Sequence, residues 1–112
     1  MYSAAFIFEP GDYDADFHRL NALIGAAAKA NPGYLGTESW VAPDGRVRNV
    51  TYYWRDLDSL RAFSQDPNHL EAKKQYARWY RGYHIVVAEV VRAYGDGAIP
   101  HLVPAGHERS QR

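Results

Sequence analysis

Apolar positions recur along this chain with two periods, and the switches between them divide it into elements. From Tyr2 to Phe8 the residues are aromatic, aliphatic or small, and Pro10-Gly11 closes the run, which predicts a first strand. Asp12 or Asp14 then offers a helix cap, because a side-chain oxygen there can accept the unpaired early amides. Phe17, Leu20, Ile24 and Ala27 follow at helical spacing, with Leu23 and Ala28 widening the stripe, until Asn31-Pro32-Gly33 stops the helix. Tyr34 to Ala42 and Val47 to Arg55 read as strands joined through the turn Pro43-Asp44-Gly45. In the second of these, Arg48, Val50, Tyr52 and Trp54 share one face and Val47, Asn49, Thr51 and Tyr53 the other.

Asp56 and the residues after it begin a short helix bearing Leu60 and Phe63, and Asp66-Pro67 restarts a longer one. On that helix His69, Ala72, Tyr76 and Trp79 or Tyr80 form a stripe, and Gly82 is its expected end. Tyr83 to Tyr94 reads as a long final strand. The order β-α-β-β-α-β is the split βαβ pattern, so the predicted class is α+β, ferredoxin-like, with an antiparallel sheet. Residues 1–95 form the predicted domain and 96–112 an arm or tail. Helices cover one face of such a sheet. The strands are apolar on both faces, so the second face calls for a partner, and a homodimer closing an α+β barrel is the simplest one.

Composition narrows the function classes. The 112 residues carry 13 basic and 13 acidic side chains, so nothing electrostatic recommends a nucleic-acid partner or a membrane surface. The chain has no cysteine, which removes thiol chemistry and disulfides and fits a cytoplasmic location. No apolar run is long enough to span a bilayer. Aromatic residues make up 14%, including nine tyrosines and three tryptophans, which suits a core, an interface or a planar apolar ligand equally.

Specific stretches then resemble a known family. Tyr53-Trp54-Arg55-Asp56, Ser59-Leu60-Arg61-Ala62-Phe63, Asp66-Pro67-Asn68-His69, Trp79-Tyr80 and Tyr83 to Val90 are similar to the antibiotic biosynthesis monooxygenase domain of the dimeric α+β barrel superfamily. The resemblance covers residues 2–95 and implies a pocket between sheet and helices. It implies that Phe6, Phe8, Tyr52 or Trp54, His69, Tyr76 and Tyr80 line that pocket. It also implies a cofactor-independent monooxygenase acting on a small aromatic compound, phenolic or polyketide-like. Haem binding or degradation, and a cyclase or isomerase that uses no oxygen, are the alternatives on the same fold. The haem-degrading branch places an aromatic and a ligand histidine where this chain has Phe63 and Lys73, and lysine is not an ordinary haem ligand.

Among individual residues, His69 is the candidate base because imidazole titrates near neutrality. A helix-capping role near Asp66 explains it as well. Tyr76 and Tyr80, one turn apart, are candidate hydrogen-bond donors, and Trp54 and Tyr52 candidate stacking walls. All four have an alternative as packing residues. Glu89, set in an apolar strand, is either a base with a raised pKa or the partner of Arg48, Arg92 or a second chain. His84 is expected near a dimer seam, and His101 and His107 show no metal-ligand spacing.

Overall fold

The computed structural model describes residues 1–109. Strands β1 (Tyr2–Pro10), β2 (Tyr34–Val41), β3 (Arg48–Trp54) and β4 (Tyr80–Glu89) form one antiparallel sheet in the order β2-β3-β1-β4. Helix α1 (Ala15–Ala30) connects β1 to β2, while α2 (Leu57–Ser64), α3 (Pro67–Lys74) and the single turn α4 (Tyr76–Trp79) connect β3 to β4. This is the expected ferredoxin-like α+β fold.

Local chemistry fixes the helix ends. Asp14, of the two candidates, caps α1, its Oδ1 accepting the Phe17 N–H at 2.9 Å. Asn31 ends the helix by accepting the Gly33 N–H through Oδ1, and its Nδ2 donates to the Ser59 carbonyl at 2.9 Å. That one side chain ties the end of α1 to the start of α2. Asp56 caps α2 through the Ser59 N–H, and Asp66 caps α3 through the N–H groups of Asn68 and His69.

Register decides what faces the helices. Ala4 lies opposite Tyr52 and Val87, and Phe6 opposite Val50 and Ile85, so these residues share one face. Trp54, fully buried on that face, packs with Ala28, Leu60 and Phe63. A second cluster of Phe17, Leu20 and Trp79 closes the other end of α1. Here Asp14 acts again, accepting from the Trp79 indole at 3.0 Å and from Arg78 at 2.7 Å.

Three expectations need correction. The helix begun at Pro67 breaks at Gln75 and does not reach Gly82, which lies inside β4. Tyr80 is drawn into the sheet opposite Pro10, and the Gly11 N–H donates to the Trp79 carbonyl at 2.7 Å, so the strand starts before the glycine. The strand also stops at Glu89, short of Tyr94, because its neighbour β1 runs out: Glu89 pairs with Tyr2, and Val90 makes the last bond to the Met1 carbonyl. From there the chain doubles back. Ala93 and His107 pair through the backbone, Arg92 meets Glu108 at 2.6 Å, and Val103 is buried. The segment crosses the face opposite the helices at its β2–β3 end, where Leu102 sits over Gly36 and His101 meets Glu38 at 2.8 Å. Trp40 and Val86 on that same face stay exposed.

Candidate active site

A cavity of about 320 Å³ opens between the sheet and the helices. Its floor is Ala4 and Phe6 of β1, Tyr52 and Trp54 of β3, and Tyr80, Tyr83, Ile85 and Val87 of β4. Its roof is Asn21 and Ile24 of α1, Leu60, Phe63 and Ser64 of α2, and His69, Ala72, Lys73 and Tyr76 beyond them. Of the eight residues singled out from sequence, His69, Tyr76, Tyr80, Trp54, Tyr52, Phe6 and Phe63 come together here. Phe8 does not line the cavity; it stacks on Phe6 at 4.6 Å and meets Tyr80 edge-on at 5.3 Å, as backing for the wall.

His69 owes its place to Asp66, whose carboxylate fixes the first turn of α3. The ring stands edge-on to Phe63 at 4.9 Å, and its Nδ1 is buried with no hydrogen-bond partner among the described residues. Burial and the nearby Lys73 cation hold its pKa below the ordinary 6.5, against the opposing pull of Asp66. The imidazole is therefore neutral at pH 7 and able to take a proton. Trp54 also lines the cavity, and its indole N–H is buried without a partner among the described residues. Such an orphaned donor is costly unless something else satisfies it.

The tyrosines behave as neutral donors. Burial pushes the Tyr80 and Tyr52 hydroxyls upward in pKa, so both keep their protons through neutral pH. Tyr76 stands at the more open side, 5.0 Å from Tyr83 in an edge-to-face pair. Ile85 and Val87 leave that side half-exposed.

Sequence reasoning passed over Ser64 and three further lining residues. Lys73 stands one turn after His69, a spacing that signals a shared face. Asn21 is a polar interruption in the apolar stripe of α1, and Tyr83 continues the alternation of Ile85 and Val87. The reading of Glu89 as a buried base needs correction: it lies at the exposed end of β4 and meets Arg109 at 3.5 Å, not Arg48 or Arg92. His84 lies opposite Ile7 on the face away from the cavity. His101 meets Glu38, which also accepts from the Tyr53 hydroxyl at 2.5 Å. Among the described residues no three His, Asp or Glu side chains are grouped as metal ligands.

Comparison with known proteins adds the lineage. Residues 14–88 match the family model described as monooxygenase af470-like. The chain belongs to that family. The match bears out the resemblance to monooxygenases of the antibiotic biosynthesis kind drawn from Tyr53 onward. YqjZ of Bacillus subtilis (strain 168) is 30% identical over 92 residues, spanning 81% of this chain and 80% of that protein. SnoaB of Streptomyces nogalater, a cofactor-independent oxygenase, superposes with a TM-score of 0.64 at 15% identity, covering 82% of this chain and 94% of that one. Rv0793 of Mycobacterium tuberculosis superposes at 0.61 with 17% identity, covering 84% and 98%. At those identities the two structures speak for the fold. No helix of the af470-like chain is long and apolar enough to cross a membrane.

Proposed function

We propose that this protein is a cytoplasmic, homodimeric monooxygenase that oxidises a small phenolic or enolic aromatic without a bound cofactor. The observation that carries the reading is a neutral His69, unpaired at Nδ1, on the wall of an apolar cavity that also presents tyrosine donors and the Lys73 cation. The cofactor-independent oxygenase SnoaB, of the same fold, lends support. In this reaction His69 takes the acidic proton of the substrate, and the resulting anion is the reductant of dioxygen. At an activated CH₂, the carbanion carbon bonds to oxygen and gives a hydroperoxide. Loss of the second C–H proton then breaks the O–O bond, leaving a carbonyl and one water. The electrons balance: the carbon gives up four and the dioxygen accepts four. Tyr80 stabilises the developing negative charge, and the aromatic walls keep water from the anion.

Oxygen uptake over a panel of phenols and anthrone-like compounds, with chelator-treated protein, tests the reading. Uptake matched one-to-one by product, and abolished in His69→Asn, is expected. Product formed equally under nitrogen identifies a cyclase or isomerase; binding with no turnover identifies a carrier. The haem alternative has less support, since Lys73 holds the ligand position and the cavity lies at the small end of ligand sites, which run from about 300 to 1,000 Å³.

A further inference from the structure

Among the described residues the cavity wall contains no Asp, Glu or Arg, and its single formal charge is the Lys73 ammonium. None of the ion pairs among the described residues includes Lys73. Its nearest acidic neighbours along the helix go elsewhere: Glu71 accepts from Gln75, and Asp66 is taken up by the cap of α3. An exposed ammonium without an ion-pair partner, set in the wall of a carboxylate-free, apolar space, describes the complement of an aromatic ring bearing a negative group.

The charge balance of the reaction points the same way. Once His69 has taken a proton, an imidazolium and an ammonium stand one helical turn apart, and a phenolate offsets only one of them. A substrate that arrives already anionic offsets the second. We propose that the substrate is an aromatic carboxylic acid of one or two rings, its carboxylate held at Lys73 and its ring against Phe6, Tyr52 and Phe63. This rests on the reading of the cavity as the active site, and it adds the charge class of the ligand.

Calorimetric titration under nitrogen with a hydroxynaphthoate and its carboxamide, which match in shape and differ in charge, is the test. The carboxylate binds about tenfold more tightly, ~1.4 kcal/mol, in the native protein and in Lys73→Arg. In Lys73→Met, which keeps the apolar stem, the two ligands bind alike. Equal affinities in the native protein, a preference for the amide, no binding of either, or a preference that survives in Lys73→Met overturns the proposal. Because oxygen is excluded, the oxygenase reading is judged separately. Carboxylate binding without later oxygen uptake sinks the reaction and leaves this inference standing. Rapid oxidation of neutral phenols with no carboxylate preference does the reverse.

Discussion

At the scale of single residues, His69 is held between opposing influences that leave it a free base. Burial and Lys73 lower its pKa and Asp66 raises it, with the net shift downward from 6.5. The imidazole is thus mostly neutral at pH 7, and the acid limb of kcat/KM lies below pH 6.5. His69→Asn removes that limb and lowers turnover by about 10²- to 10⁴-fold, the usual contribution of a positioned base. Lys73→Met takes away one lowering influence and moves the limb toward higher pH. A rate profile for the three proteins decides this. Glu38 supplies a second, structural titration. Burial pushes its pKa up, but hydrogen bonds from Tyr53 and His101 outweigh that and hold it below 4.5. Burial, together with the same contact, pushes Tyr53 up to about 12. Since the folded value of Glu38 is the lower one, its stabilisation is complete above pH 4.5 and disappears as pH falls through the folded value. Thermal melts of Glu38→Gln therefore lose part of their slope with pH below 4.5, and only there.

At the scale of elements, the chain's own punctuation accounts for most of what was legible. Asp14, Asn31, Asp56 and Asp66 end helices where the sequence places caps and stops, because each acts on amides within three residues of itself. The break at Gln75 was not legible. Nor was the end of the helical segment at Trp79, which comes from the pairing of Tyr80 with Pro10 and the bond from Gly11 to Trp79, because no local spacing records partners so far apart in sequence. The cavity shows the same division. The stripe His69, Ala72 and Tyr76 survives the break and lines the wall, whereas Lys73 was hidden by being read only as a failed haem ligand. The junction of α1 with α2 is the tightest point of this layer. A Cβ at Gly33 overlaps Ser59, whose carbonyl already holds Asn31. Gly33→Ala should cost about 1–3 kcal/mol, as overpacking usually does. Ser59→Gly in the same chain should recover part of it, since it deletes the side chain in the way. Denaturant midpoints of the single and double variants measure both effects.

At the scale of the whole molecule, the two faces of the sheet meet different fates. The helical face buries Trp54 and encloses the cavity, while the opposite face is covered by residues 101–103 only toward β2 and β3. The uncovered part carries Ala5, Ile7 and Val86 on the two central pairings of β1, with Val86 45% exposed. An apolar strip of that kind on a sheet is suited to a second copy, and a two-fold axis would set β1 and β4 of the subunits face to face. The returning segment limits how that contact can form. With Leu102 over Gly36 and His101 on Glu38, the β2–β3 end is already occupied, so the second copy of the proposed dimer would seat on the β1–β4 half. Val86→Asp places a charge in the middle of that half and should convert the protein to a monomer by light scattering at micromolar concentration. Trp40→Asp, on the same face but in the edge strand β2, should leave the mass unchanged. If Trp40→Asp dissociates the protein and Val86→Asp does not, the contact lies at the β2 edge, and residues 101–103 must move aside for it to form.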